Sequence, residues 1–240
     1  MPYELHDWPT ILGRGEFVRL ALEEAGAAYV DVARCDEAEG GGLGALVARL
    51  QDPTVARPSF ALPVLKDGTV TIGQTAAILL YLGPRLGLVP KSEADRLWTH
   101  QIQLTVADMV TEAHDTHHPI AVGLAYEDQR PEALRRAEHF RRERIPEFFA
   151  WFEHLLARNG GRHLVGRALT YADLSLFQLV EGLLYAFPRA ARAELRESPH
   201  LSALHAAVPA RPRIAAYLAG PRRIPFNENG IFRRYPELDG

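Results

Sequence analysis

The stretch ALPVLKDGTVTIGQTAAILLYL, residues 61–82, decides the fold. Two short runs of strand-forming residues, Leu62 to Leu65 and Val70 to Ile72, flank Lys66-Asp67-Gly68, and Asp-Gly between such runs marks a tight antiparallel hairpin. The period then changes, so that Thr75 to about Leu82 reads as a helix. Pro63 has no N–H to give to a ladder. It reads either as an edge-strand proline or as a cis peptide that leaves the N–H and C=O of Val64 free for a ligand's backbone. Gln74-Thr75 opens the helix, where unpaired N–H groups and the positive end of the helix dipole suit a carboxylate and Thr75 adds a hydroxyl. Taken alone, Thr75 is an N-cap.

Upstream, YELHDW at 3–8 partly alternates, GRGE at 13–16 opens a helix through Phe17, Leu20, Ala21 and Leu22 that stops at Gly26, and Tyr29 to Ala33 follows as a second strand. A strand, helix and strand joined in this way form a parallel pair. Between Cys35 and Ser59 the cluster Gly40, Gly41, Gly42 and Gly44, with Pro53 and Pro58, reads as a loose helix inside a mobile loop. Downstream, GPRLGLVPKS at 83–92 reads as a linker, and from Glu93 the helical period dominates over 93–117, 131–158, 171–185, 190–196 and 200–219. Pro146 predicts a break or kink near Glu143. The expected organisation is an α/β domain over 1–82, a linker over 83–92, an all-helical domain over 93–220 and an irregular tail over 221–240. Ile224, Phe226, Ile231 and Phe232 should pack that tail onto the surface.

Composition narrows the function classes. The 240 residues are 47% apolar and 24% charged, ordinary for a globular protein, and the net charge of -3 carries no single-sign run that would attract nucleic acid or an anionic membrane. With Cys35 the one cysteine, no intramolecular disulfide or cysteine-rich metal site can form. Glu4 and Asp7 stand where a secretory signal needs basic and apolar residues, and no apolar run reaches about 18 residues, so a cytoplasmic location is expected.

The order strand, helix, strand, Pro63-bearing hairpin, Gln74-Thr75, helix, then helical domain resembles the cytosolic glutathione transferases, nearest their tyrosine-type branch. Further matches are GRGEFVRLALEEAG at 13–26, LVGRALTYADLSLF at 164–177 and PRIAAYLAGPRRIPFN at 212–227. In the second of these, Thr170 as N-cap and Asp173 three residues on form a capping box, with Leu169 and Leu174 placed as its hydrophobic staple. The resemblance implies a thioredoxin-like domain followed by an all-α domain, glutathione as cosubstrate without a metal, an apolar electrophile, a detoxification role and a homodimer. It also implies that Pro63 is cis, that Val64 pairs its backbone with the cysteinyl part of glutathione, and that Gln74 and Thr75 hold the γ-glutamyl carboxylate. Asp108 would reach the γ-glutamyl amine in a neighbouring subunit; its alternative is a solvated helix residue.

The family's sulfur-activating tyrosine at the end of the first strand is missing. Counting from the strand start puts Asp7 there, and counting back from Gly13-Arg14 puts Trp8 there. An ionised Asp7 has no proton to donate and would raise the thiol pKa above its free value of about 8.5. Thr10 offers a hydroxyl in the next loop and Arg14 a positive charge, giving the order Thr10, Trp8, Asp7 with Arg14 supporting, while His6 alternates to the other face. For the glycine carboxylate, Arg34, Arg49 and Arg57 stay open as substitutes. His117 or His118 would touch the second substrate and act as an acid near neutral pH. His114 and His118 have the spacing of a metal pair, but no third ligand is evident, so no metal is expected. Cys35 receives no role. The missing tyrosine keeps two alternatives open, a glutathione-binding protein without conjugating activity and a glutathione-dependent isomerase.

Overall fold

The computed structural model describes all 240 residues, with Glu39 described by its backbone only. Strand β1 (Tyr3–His6), helix α1 (Gly15–Ala25) and strand β2 (Tyr29–Asp31) form the expected parallel unit, and β3 (Val64–Asp67) and β4 (Val70–Gly73) form the hairpin. They make one sheet in the order β2-β1-β3-β4, with β1 antiparallel to β3. Helix α2 (Gly42–Gln51) lies in the glycine-rich stretch, and α3 (Thr75–Leu86) follows the hairpin. Leu5 and Leu65 from the sheet, Val18 and Leu22 from α1, and Ile78 and Leu82 from α3 bury one face together.

Several boundaries differ from the sequence expectation for local reasons. The hairpin turn is Gly68-Thr69, one residue later than read, because Gly68 at φ 58° supplies the positive φ at the first central position. β2 stops at Asp31, after which Val32–Arg34 make a 3-10 turn and Asp31 turns its carboxylate to Arg19. α3 runs four residues beyond Leu82, into the stretch read as linker, and ends only at Gly87, whose φ of 69° closes the last turn.

Beyond that junction come α4 (Glu93–Asp115), α5 (Arg130–His139), α6 (Ile145–Arg158), α7 (Tyr171–Ala186), α8 (Pro188–Glu197), α9 (Pro199–Ala207) and α10 (Pro212–Ala219). The disturbance placed near Glu143 is a five-residue π turn, Phe140–Arg144, which widens the helix just before Pro146 instead of breaking it. The single helix read over 200–219 is two helices, because Pro212 holds Arg211 extended at φ -72°, ψ 129°. α7 enters the core behind its capping box: Thr170 Oγ1 accepts the Asp173 N–H at 3.4 Å, and Asp173 Oδ2 accepts the Thr170 N–H at 2.6 Å. Leu169 packs on the cluster that contains Leu174, as the staple requires.

Phe17, Leu20 and Ala21 of α1 join the main core formed by α4, α6 and α7, so the sheet half and the helical half share buried surface. The tail packs down as expected: Ile224, Ile231 and Phe232 are all buried. Phe232 lies against Gly182 of α7, where a Cβ would come within 2.3 Å of its ring. No helix of the described residues is long and apolar enough to cross a membrane.

Candidate functional site

The site forms where β1, β3 and the start of α3 end on one side of the sheet. The Leu62-Pro63 peptide is cis, as the resemblance implied. Val64 does not keep free backbone groups. It stands opposite His6 on one side and Gly73 on the other, and in an antiparallel ladder its N–H and C=O point toward one of those two neighbours. Leu62, two residues earlier, lies outside both ladders.

Gln74 carries φ 65° and ψ 118°, the one positive φ at a non-glycine position among the described residues. A side chain held in that region costs on the order of 1–3 kcal/mol, a strain that clusters where ligands bind. Gln74 is exposed and is the N-cap residue, without a side-chain cap bond. Thr75 is therefore the first helical residue and not the cap, and its hydroxyl donates to the Arg14 carbonyl at 3.0 Å. That bond ties the α1 and α3 entrances together, and no Gln74 side-chain cap takes up the first-turn N–H groups of α3.

At the end of β1 the three candidates separate. The strand stops at His6, and Asp7 turns inward: it is 2% exposed, and a Cβ on Gly15 would lie 2.0 Å from Asp7 Oδ2. A carboxylate so short and so enclosed cannot reach a sulfur in the cleft, which removes Asp7 from the sulfur-contact series. Burial pushes its carboxyl up to about 6, although Arg19 Nη1 lies 3.1 Å away. Trp8 is 41% exposed, and Thr10 is exposed with its carbonyl held by Asn227 Nδ2 at 2.8 Å. Arg14 is exposed at the mouth of α1. His6 faces away from Asp7, as strand alternation requires, and burial pulls its pKa down to about 4.

Of the arginines, Arg34 is committed to the Pro221 and Arg222 carbonyls, and Arg49 donates to Thr71 Oγ1 at 3.1 Å. Arg57 makes no hydrogen bond or ion pair among the described residues and lines a small cleft with Arg49, Ser59, Val64 and Thr71. Asp108 is exposed on α4 and makes no ion pair among the described residues.

The histidines at the end of α4 correct another expectation. His117 is 1% exposed and its Nε2 lies 2.8 Å from the Ile231 carbonyl of the tail, so it cannot line an open pocket. Burial lowers its pKa to about 3 and that of His118 to about 4, so both are neutral near pH 7 and neither can serve as an acid there. His114, His117 and His118 bring their ring nitrogens within 4.8 Å of one another. His117 is the third partner that the sequence pair lacked; spacing at i, i+3 and i+4 was the available signal.

A family model of the glutathione S-transferase C-terminal domain matches residues 114–221. Glutathione S-transferase P of Bos taurus is 28% identical over 234 residues, covering 95% of this chain and 98% of that protein. Glutathione S-transferase P of Capra hircus is 30% identical over 191 residues, covering 78% and 83%. Among solved structures, a Pi-class glutathione S-transferase of Onchocerca volvulus superimposes with a TM-score of 0.68 at 24% identity, over 91% and 92% of the two chains. Prostaglandin synthase D of Nilaparvata lugens superimposes with a TM-score of 0.71 at 20% identity, over 94% and 100%. At these identities the two structures speak for the fold alone.

Proposed function

Because this chain belongs to the glutathione S-transferase family, we propose that it binds glutathione at the entrance of α3 and adds the thiolate to an apolar electrophile held beside α4. The observation that carries this reading is Gln74, held at positive φ at the entrance of α3 with no side-chain cap, where a helix N-terminus suits a carboxylate. Gln74 and the first-turn N–H groups of α3 receive the γ-glutamyl carboxylate in this reading, and the peptide groups of Leu62, not those of Val64, pair with the cysteinyl part. Arg57 is the remaining arginine for the glycine carboxylate. The thiol is activated by the Thr10 hydroxyl and the Trp8 indole N–H, with Arg14 adding positive charge.

An ultraviolet difference titration of bound glutathione from about pH 5 to about pH 9 tests the reading, because an activated thiol ionises well below its free value of about 8.5. Binding with an unshifted pKa favours the second reading, a glutathione-binding protein without conjugating activity. The inward turn of Asp7, which leaves the strand end without a phenolic hydroxyl, is what keeps that reading in play. Loss of binding altogether would overturn both.

Thr10→Ala should lower kcat/KM for conjugation by roughly tenfold or more, the worth of one hydrogen bond to a charged group. Asp7→Asn should change the chemical step less, because Asp7 does not reach the cleft. Steady-state kinetics with glutathione and an activated aryl chloride compare the two; equal or reversed effects would remove Thr10 as the sulfur contact.

A homodimer is part of the same proposal. Phe60 is 98% exposed, and Leu97 and Leu104 stand out from α4 at 62% and 47%, apolar surface that a second copy would cover. Asp108 would then reach the partner's bound glutathione. Sedimentation equilibrium decides the assembly, and a cytoplasmic, detoxifying role follows only if conjugation is found.

A further inference from the structure

We propose that His114, His117 and His118, where α4 ends, form a three-nitrogen site for a divalent late-transition ion such as zinc or cobalt. The three rings pack as one cluster, with centroids 4.9, 5.2 and 4.7 Å apart pair by pair. α4 itself ends at Asp115, and the turn that follows, with the His117 N–H donating to the His114 carbonyl at 3.2 Å, brings His117 and His118 back over His114.

Tautomers follow from the neighbours. His117 Nε2 lies 2.8 Å from the Ile231 carbonyl, so the proton sits on Nε2 and the Nδ1 lone pair points into the cluster. Carbonyl anchoring of the far nitrogen is how metal-binding histidines are commonly oriented. His114 Nδ1 lies 3.4 Å from Asp115 Oδ1, and a proton held there leaves Nε2 with the lone pair. His117 Nδ1 and His118 Nδ1 face each other closely, the contact of one ring N–H with the other ring's lone pair; an ion bound there would replace that proton and hold the two nitrogens further apart. With metal–nitrogen bonds of about 2.0–2.1 Å, tetrahedral ligation needs nitrogens about 3.4 Å apart, so small side-chain rotations within the 4.8 Å cluster suffice.

Imidazole donors select zinc, cobalt, nickel or copper over magnesium and calcium. Arg14 and Arg233 face the cluster as positive charges and Asp115 as a negative one. Two guanidinium groups beside a dication favour an anion, hydroxide or carboxylate, in the fourth position.

The test is a titration of the whole chain, freed of metal with a chelator and held without glutathione, whose thiol would itself compete for the ion. Cobalt(II) is followed by visible absorption and zinc by calorimetry. The expected result is one equivalent per chain with the intense bands of tetrahedral cobalt, no response to magnesium, and affinity at least about tenfold weaker in His114→Ala and in His118→Ala. Circular dichroism checks that each variant is folded. If His118→Ala is not, His114, the most accessible of the three, carries the comparison. Absence of saturable binding at millimolar cobalt, or binding unchanged in the folded variants, would overturn the proposal.

Discussion

Replacing Arg19 with alanine is expected to destabilise the protein by about 3–5 kcal/mol, the range for stranding buried charge by removing its partner. The Arg19 side chain is fully buried and serves three carboxylates: Nε donates to Asp31 Oδ2 at 2.7 Å, and Nη1 lies 3.1 Å from Asp7 Oδ2 and 3.7 Å from Glu16 Oε2. Glu16 retains Arg223 and the Tyr217 hydroxyl, but Asp7 and Asp31 have no other cation in contact among the described residues. Arg19→Met restores most of the volume without the charge, so if it fails as badly as alanine the loss is electrostatic and not a cavity. Urea unfolding of the three proteins measures it, and a loss below about 1 kcal/mol, the size of an exposed pair, would contradict the assignment.

The pH dependence of that variant has a definite sign. Burial pushes the Asp7 carboxyl up to about 6 in the folded protein, above the usual aspartate range, so its ionised form costs stability at neutral pH and protonation relieves that cost as pH falls through 6. Without Arg19 the folded value rises further. The gap between variant and parent should therefore narrow when urea midpoints are compared at about pH 8 and about pH 5.

Asp173→Ala carries the second large effect, about 2–4 kcal/mol, from a lost cap and stranded buried donors. One carboxylate oxygen accepts the Leu164 N–H at 2.7 Å and the other accepts both the Thr170 N–H at 2.6 Å and its hydroxyl at 2.8 Å, all out of contact with water. Asp173→Asn keeps one acceptor oxygen and should fall between alanine and the parent in thermal midpoint. If the alanine variant unfolds within about 0.5 kcal/mol of the parent, the box contributes no more than an ordinary surface contact.

Much of this fold could be read from local pattern. The hairpin, the Gly26 stop and the Thr170 to Asp173 box are each decided within a few residues; the last two stand where the sequence puts them, and the hairpin turn is displaced by one residue. The site was less legible because its geometry depends on partners far along the chain. Counting alone puts either Asp7 or Trp8 at the tyrosine position; the structure separates them because the strand stops at His6 and Gly15, eight residues on, makes room for the Asp7 carboxylate. Nothing near Thr75 announces that its hydroxyl serves Arg14, and nothing near His117 announces the Ile231 carbonyl. The error over Val64 had a different origin: which residue beside Pro63 keeps its backbone free depends on where the ladder begins, and propensity fixes strand ends poorly.

The seam of Glu16, Arg19, Tyr217 and Arg223 bears on how the molecule comes apart. Glu16 belongs to α1, while Tyr217 and Arg223 come from α10 and the segment after it, two hundred residues later in the chain. Separating the halves breaks these buried contacts and uncovers the apolar core that α1 shares with the helical half. Fluorescence from Trp8 in one half and from Trp98 and Trp151 in the other should then report a single melting curve, and a fragment cut at Gly87 should not hold its shape alone. What looks in sequence like two joined modules should then behave, thermodynamically, as one cooperative unit.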